Sequence, residues 1–212
     1  MRIIKRKRSK STDFDLVIGI TGLKAGGKDE MARFLGQELG FTVRSCGDEI
    51  RDQLRRDGVE ATIERQVELG NRGRLESGDI GYWAKRVLAT CKGAGNRLVA
   101  VNGLRHPDEV TGLGEIAGSA FVMAGVVAPI GLRAQRLIGR GRAGDPKTIE
   151  DFLRLDDTDR GIGQPPHGQQ VDRTLARVPW ENVCDNRGTL EGFHDWIRAF
   201  VARVLKERGF AK

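Results

Sequence analysis

Short apolar runs alternate with longer amphipathic stretches along most of the chain. The short runs are rich in Val, Ile, Leu and Phe, which is typical of buried parallel strands, and the amphipathic stretches predict helices. Five strands are predicted, at residues 15–20, 41–46, 97–101, 120–127 and 181–184. Helices are predicted at residues 28–39, 48–56, 80–90, 107–113, 130–139, 148–155 and 190–207. The pattern therefore predicts an α/β protein with a five-stranded parallel sheet flanked by helices.

Two regions interrupt this alternation. Residues 140–146 are rich in Gly, Arg and Asp, and residues 161–168 contain Gly, Pro and Gln without periodicity, so both are predicted to be loops. The first lies between two predicted helices, where a flap over a ligand can be attached. A chain of 212 residues with 39% hydrophobic content suits one buried core, so we expect a single domain over residues 14–212.

The positive charge of the chain is concentrated at its N-terminus. The formal net charge is +7, and six cationic side chains fall within the first ten residues, so subtracting them leaves +1 for the remainder. We expect residues 1–13 to form a basic, disordered leader. The alternative is that this leader contacts the phosphates of a nucleic acid.

Other bulk features limit the class of protein. No apolar run approaches the length of a membrane span, and the basic N-terminus is not followed by the apolar core of a signal peptide. Cys46, Cys91 and Cys184 have neither zinc-site spacing nor the density of a disulfide framework, so we expect reduced, partly buried thiols. We therefore expect a cytoplasmic protein without a membrane partner, either a monomer or a homodimer.

A glycine-rich segment directly follows the first predicted strand and directly precedes the first predicted helix. Residues 22–28 read Gly-Leu-Lys-Ala-Gly-Gly-Lys and match the G-x-x-x-x-G-K part of the phosphate-binding loop, the P-loop. Glycines let successive backbone N–H groups turn toward an anion, and the following helix directs its positive dipole end to the same point. The alternative is an ordinary glycine-rich connection, but the order of strand, loop and helix favours phosphate binding.

Asp29 departs from the P-loop pattern, because Ser or Thr normally presents a hydroxyl to magnesium at this position. A carboxylate there adds negative charge beside the phosphates. It must therefore either help to hold the metal or turn away from it.

Two further segments follow predicted strands, where ligands bind in open α/β sheets. Residues 47–51 read Gly-Asp-Glu-Ile-Arg, and residues 102–105 read Asn-Gly-Leu-Arg. They resemble the Gly-Asp-x-x-Arg and Asp-Gly-x-x-Arg elements with which nucleoside monophosphate kinases hold the acceptor phosphate. Arginines at residues 133–142, ahead of Gly-Asp-Pro at 144–146, resemble the lid of that superfamily. Residues 185–190 are similar to the base-proximal loop of dephospho-CoA kinase-like proteins.

The resemblance covers nearly the whole chain from residue 15 and is strongest to two groups, the dephospho-CoA kinase-like proteins and the phage deoxynucleoside monophosphate kinases. The latter share Gly-Lys-Asp, as at residues 27–29, and Arg-x-Pro-x-Glu, as at residues 105–109. It implies a three-layer P-loop fold with a small helical lid at about residues 133–147. It also implies ATP and Mg²⁺ as cofactors, and transfer of the γ-phosphate to a nucleoside or deoxynucleoside monophosphate.

The resemblance also implies roles for individual residues. The ATP-binding residues are Gly22, Lys24, Ala25, Gly26, Gly27, Lys28, Asp29, Asn186 and Gly188, with Asp29 and Asp48 as candidate metal ligands. The substrate-binding residues are Asp48, Arg51, Arg74, Asn102 and Arg105. The catalytic residues are Lys28, Asp48, Arg105 and the lid arginines Arg136, Arg140 and Arg142, since phosphoryl transfer needs converging cations that neutralise charge.

Two of these assignments have alternatives. Asp48 either orients the acceptor or a metal-bound water, or it caps the helix that begins there. Asn102 stands where the related kinases have Asp, so our hypothesis is that Asp29 supplies the carboxylate that Asn102 lacks. Three other functions stay open: a dephospho-CoA kinase, a kinase acting on a modified base or hydroxyl in nucleic acid, and a non-catalytic ATP-binding protein.

Overall fold

A computed structural model of the protein describes residues 13–141 and 145–210, the side chains of residues 63, 64 and 67 excepted. Most of the predicted leader, residues 1–12, and the lid residue Arg142 therefore lie outside the described residues. Within the described part of the chain, no helix is long and apolar enough to cross a membrane.

The described strands form a five-stranded sheet in the order β2-β3-β1-β4-β5. Every neighbouring pair is parallel. The strands are β1 (Leu16–Thr21), β2 (Thr42–Ser45), β3 (Leu98–Leu104), β4 (Phe121–Val127) and β5 (Val183–Asp185). The central strand β1 is buried at all six positions, which explains its continuous apolar sequence. The predicted five-stranded parallel sheet is confirmed.

Helices cover both faces of this sheet. They are α1 (Lys28–Leu39), α2 (Cys46–Arg56), α3 (Ile63–Ser77), α4 (Tyr82–Gly93), α5 (Pro107–Ala117), α6 (Ile130–Arg140), α7 (Ile149–Arg160), α8 (Val171–Leu175) and α9 (Leu190–Glu207). Alternate residues of β1 face opposite cores: Ile18 packs with Phe34 of α1 and Ile197 of α9, and Val17 packs with Trp83 of α4 and Leu113 of α5. The predicted three-layer fold is confirmed.

The helix α3 was not predicted from the sequence. Its glycines, Gly70 and Gly73, weaken helix propensity and break the apolar pattern. Packing against α4 compensates, because the indole Nε1 of Trp83 donates to the carbonyl of Gly70 at 3.0 Å. The short helix α8 was also missed. The predicted loop at residues 161–168 is confirmed, since it contains turns and no regular element.

The helix α6 falls largely in the predicted lid region, residues 133–147, and α7 follows that region and packs on α6. Ala134 and Leu137 of α6 contact Phe152 of α7 in a small apolar cluster, which is separate from the two main cores. The connection between the helices includes residues 142–144, which are outside the described part. These two helices join the P-loop through Ala25, which packs against the cluster, and through polar side chains described below.

Candidate functional site

The P-loop connects β1 to α1 in a conformation that few residue types tolerate. Gly22, Ala25 and Gly27 have positive φ angles of 148°, 59° and 120°. A Cβ atom on Gly27 would lie 2.2 Å from the side-chain nitrogen of Asn186, so only glycine fits there. Gly27 is also the N-cap of α1, and no side chain caps that helix. The first backbone amides of α1 are therefore left for an anion.

Side chains from distant elements hold the outside of this loop. The amide of Asn186, just after β5, donates to the carbonyl of Gly26 at 2.9 Å. The backbone N–H of Lys24 donates to Asp159 of α7 at 3.1 Å. These bonds pair polar groups on the outer side of the loop and so stabilise its curvature.

The predicted lid arginines are placed close to the same loop. Arg136 donates to the carbonyl of Asn186 at 3.0 Å and approaches the carbonyl of Ala25 at 3.5 Å. Arg133 is buried, forms a bidentate pair with Asp156, and approaches the carbonyl of Lys24 at 3.5 Å. Its role here is to attach α6 and α7 to the P-loop.

Arg140 lies at the C-terminal end of α6 and pairs with Asp145. That carboxylate holds the pKa of Arg140 above its ordinary value through a side-chain hydrogen bond. The third catalytic lid candidate, Arg142, is outside the described residues, so its position relative to the P-loop stays a prediction.

Lys28 begins α1 and is 8% exposed. Its ammonium lies 3.6 Å from the carboxylate of Asp29. Burial lowers the pKa of Lys28 below its usual range, although Asp29 opposes the effect. Burial raises the pKa of Asp29, but the charge of Lys28 and the hydrogen bond from Asn102 outweigh it, and the net shift is downward. Each of the two charges thus favours the ionised form of the other group.

Two clefts meet at Lys28 and Asp29. The smaller has a volume of about 310 Å³ and is also lined by Ala25, Gly27, Arg136, Arg140, Asn186 and Gly188. The larger has a volume of about 540 Å³ and is also lined by Arg51, Arg74, Asn102 and Arg105. The structure therefore places these ATP-binding and substrate-binding candidates in neighbouring clefts, with the P-loop lysine between them. The predicted ATP-binding residues Gly22, Lys24 and Gly26 line neither cleft.

The Asp48 side chain lies beside Arg51 and does not line either cleft. Its carboxylate accepts from the backbone N–H and hydroxyl of Ser45, the N-cap of α2, and from Arg51 at 2.5 Å. Asp48 thus completes a capping box, in which the Ser45 hydroxyl accepts from the Asp48 N–H. The prediction of Asp48 as the N-cap is therefore wrong, because the N-cap is Ser45 and Asp48 stands three residues later in the capping box, and its catalytic and metal-binding roles stay predictions.

The other two arginines of the larger cleft also have carboxylate partners. Arg74 of α3 lies 3.6 Å from Glu109, and its Nε atom is buried without a partner among the described residues. Arg105, just after β3, lies 3.2 Å from Asp159 and donates to Gln169 at 2.7 Å. The carboxylates hold the arginines in place before any substrate binds.

Several site residues were not found from the sequence. The loop after α7 forms a wall of the larger cleft with Gln164, His167 and Gln169. Two buried acids, Asp156 and Asp159, lie on the buried side of α7 with Phe152. Residues 152, 156 and 159 lie on one face of the helix. Two acids on the face that also carries Phe152 could therefore have been recognised from the sequence as buried carboxylates that need cationic partners.

The sheet order and the P-loop between β1 and α1 define a P-loop kinase fold. A gluconokinase from Sinorhizobium meliloti 1021 aligns with a TM-score of 0.54 at 15% identity, covering 93% of this chain and 97% of that one. A shikimate kinase from Acinetobacter baumannii aligns with a TM-score of 0.50 at 16% identity, covering 91% and 94%. The fold that the resemblance implied, that of the P-loop kinases, is thereby confirmed.

The chain belongs to the UPF0200 family. It is 31% identical over 193 residues to a UPF0200 protein of Pyrococcus abyssi, covering 90% of this chain and 97% of the relative. A UPF0200 protein of Thermococcus kodakarensis is 31% identical over 196 residues, covering 91% of this chain and 100% of the relative. One from Methanosarcina mazei is 28% identical over 190 residues, covering 90% and 96%. No protein-family model matches the chain.

Proposed function

We propose that this protein is a phosphotransferase that moves the γ-phosphate of ATP to a nucleoside or deoxynucleoside monophosphate. The observation that carries the proposal is the junction of two clefts at Lys28, with the P-loop on one side and three arginines on the other. Phosphoryl transfer needs a donor and an acceptor phosphate held in line with cations between them. The two clefts meet that requirement.

The smaller cleft is the proposed donor site. The phosphates of ATP bind the amides of the P-loop, and Lys28 neutralises the charge that develops on the transferred group. The nucleoside extends along Asn186 and Gly188 toward Leu190 and Phe193, which supply the apolar part of the cleft. Arg136 and Arg140 line the same cleft and add positive charge near the phosphates.

The larger cleft is the proposed acceptor site, and its carboxylates favour a phosphate over a hydroxyl as the acceptor. A hydroxyl acceptor must lose its proton, so it needs a general base, which is a carboxylate or imidazole that is free to accept that proton. Glu109 is 2% exposed, accepts from two backbone amides and pairs with Arg74. Asp29 is paired with Lys28, and its pKa is lowered. A phosphate oxygen is already anionic and needs no base, and the three arginines of this cleft suit it, whereas a hydroxyl acceptor would have to use the imidazole of His167, which also lines the cleft.

The proposed metal is Mg²⁺, and the residues present fit it. Among the described residues no group of three or more His, Cys, Asp and Glu side chains surrounds a metal-sized space. Mg²⁺ usually takes one or two carboxylates together with substrate phosphates and water. Asp29 adjoins both clefts and is 66% exposed, so it is the residue that would hold the ion. The ion would neutralise phosphate charge there.

The test is a phosphotransfer assay with ATP, Mg²⁺ and each common nucleoside monophosphate, with dephospho-CoA and single-stranded DNA as competing acceptors. We expect one class of monophosphate to give equimolar ADP and diphosphate product. The variant Lys28→Met should lower turnover at least about 100-fold, the scale of losing a transition-state charge contact. Lys92→Met is the matched control, because Lys92 lies at the end of α4 and pairs with Asp13. Phosphorylation of dephospho-CoA or DNA alone, or no product with any acceptor, contradicts the proposal.

A further inference from the structure

One buried carboxylate connects the P-loop to the larger cleft. Asp159 of α7 is 1% exposed. Its Oδ1 atom lies 3.2 Å from Nη1 of Arg105 and 3.7 Å from Nζ of Lys24. Its Oδ2 atom accepts from the backbone N–H of Lys24 at 3.1 Å. A single side chain thus contacts both the P-loop and the first residue after β3.

These contacts join residues that belong to opposite sides of the proposed reaction. Lys24 is in the P-loop, which holds the donor, and Arg105 lines the acceptor cleft. The two residues lie far apart in the sequence, and their cationic groups repel each other. A buried carboxylate between two cations has few alternative arrangements, because moving away would leave a charge without a partner in a poorly hydrated place.

We propose that Asp159 is a positioning residue that fixes Lys24 and Arg105 relative to each other, and so sets the separation between the donor and acceptor phosphates. This proposal rests on the proposed function. Asp159 does not contact substrate itself but acts through the two cations. A displacement of about 1 Å between reacting groups lowers phosphoryl transfer strongly, so a residue that fixes this separation matters for turnover.

The proposal has a consequence for donor binding alone. In the intact protein Asp159 is shared between Arg105 and Lys24. If Arg105 is replaced by Gln, the carboxylate is free to pair wholly with Lys24, and it then competes with the donor phosphates for that ammonium. Arg105→Gln should therefore weaken donor binding even though Arg105 lies at the acceptor cleft. The effect should be much smaller when Asp159 is absent.

The experiment is a double-mutant cycle read by calorimetric titration with the non-hydrolysable ATP analogue AMP-PNP and Mg²⁺. The proteins are wild type, Arg105→Gln, Asp159→Asn and the double variant. We expect Arg105→Gln to raise the Kd for AMP-PNP about tenfold in the wild-type background, and less than about twofold with Asp159→Asn. Residues in one ionic network show coupling of this size. The same factor in both backgrounds overturns the role of Asp159.

Asp156→Asn is the matched control background. Asp156 lies three residues before Asp159 on α7, is 2% exposed, and pairs with Arg133 instead. Arg105→Gln should keep its full effect with Asp156→Asn, and loss of the effect there would show that any damage to α7 is sufficient, which contradicts the proposal.

Two further outcomes are decisive. Asp159→Asn is unsuitable for the cycle if it shows no cooperative thermal transition. Lys24→Met then takes its place, because it removes the other side chain of the same ion pair. If Arg105→Gln keeps its effect on the Kd in the Lys24→Met background, the proposal is overturned. If the wild-type protein binds AMP-PNP but the effects of Arg105→Gln and Asp159→Asn on the Kd are additive, only the role of Asp159 is refuted. A wild-type protein that does not bind AMP-PNP refutes the proposed function, and the role of Asp159 with it.

Discussion

The side-chain amide of Asn102 donates to the carboxylate of Asp29 at 3.0 Å, across 73 positions of sequence. The bond joins β3 to the first turn of α1, at the junction of the two clefts. An Asp at position 102 would place two carboxylates in contact, so the amide is what permits this approach. The contact supplies a physical basis for the hypothesis that Asp29 and Asn102 act as a compensated pair.

The first prediction concerns magnesium. Asp29→Ser restores the hydroxyl of the usual P-loop but leaves the junction without a carboxylate, because residue 102 is an amide. We expect the Mg²⁺ concentration for half-maximal activity to rise about tenfold, which is the effect of losing one of the few protein ligands of the ion. The measurement is a Mg²⁺ titration of the initial rate at saturating ATP.

The double variant Asp29→Ser with Asn102→Asp is the control for that titration. It returns one carboxylate to the junction from the neighbouring strand, so it should recover most of the lost Mg²⁺ affinity. Unchanged Mg²⁺ dependence in Asp29→Ser, or a double variant no better than the single one, contradicts the compensated pair.

The second prediction concerns the alkaline limit of activity. Burial lowers the pKa of Lys28, and the negative charge of Asp29 raises it, with burial the larger effect. Asp29→Asn removes the raising influence, so the pKa of Lys28 should fall further below that of a free lysine. Lys28 then loses its proton at lower pH, and the alkaline limb of kcat/KM for ATP should move to lower pH, since kcat/KM reports the free enzyme.

The control for this pH profile is Asp79→Asn. Asp79 pairs with the half-buried Lys85 and forms no ion pair with Lys28, so the limb should stay in place. An alkaline limb that is unmoved in Asp29→Asn, or that moves to higher pH, would show that another group is responsible for it.

The sequence was sufficient for the sheet and the P-loop because both depend on local patterns. Continuous apolar runs of β-branched residues identify buried parallel strands, and Gly27 is required by a backbone conformation that glycine alone adopts easily. The helix α3 could not be found in that way. Gly70 and Gly73 lower its intrinsic stability, and only packing against Trp83 of α4, a tertiary contact, stabilises it.

The site was predictable only in part for a related reason. Motif spacing predicted Lys28 as a site residue, and the resemblance to nucleoside monophosphate kinases predicted the arginines that follow the strands. It gave no indication of which carboxylate each arginine contacts, because those pairs join residues far apart in the sequence, as Arg105 with Asp159 does. The lid arginine Arg133 shows the same difficulty, since its partner Asp156 comes from the following helix. Such pairs follow from the packing of α7 on the P-loop.

The third prediction tests the packing of α3. A Cβ atom on Gly73 would lie 2.7 Å from the ring of Trp83, whereas a Cβ on Gly139 of α6 would meet nothing within 4 Å. Gly73→Ala should therefore destabilise the protein by about 1–3 kcal/mol, the usual cost of overpacking. Gly139→Ala should stabilise it by about 0.5–1 kcal/mol, because it only improves helix propensity. Urea unfolding of both variants measures the difference, and equal effects would contradict the close packing of α3 on α4.

The last prediction tests whether Glu109 positions Arg74 for the acceptor. The Oε2 atom of Glu109 accepts from the backbone N–H groups of Arg105 and His106, and Oε1 faces Arg74 at 3.6 Å. In Glu109→Gln the amide oxygen can still accept from the two backbone groups, but the NH₂ group then faces the guanidinium of Arg74, and two donors repel. The variant should keep the cap of α5 and lose the ion pair.

Glu109→Gln should therefore raise the KM for the acceptor about threefold to thirtyfold, as expected when a phosphate-binding arginine loses its fixed orientation. The Kd for AMP-PNP should change less than about twofold, since Glu109 lines the acceptor cleft and not the donor cleft. Glu115→Gln is the matched control on the same helix, because Glu115 is exposed and pairs with Lys85. A residue that only orients Arg74 affects the acceptor alone. Equal weakening of donor and acceptor binding in Glu109→Gln would therefore contradict the prediction and show that Glu109 supports the whole site.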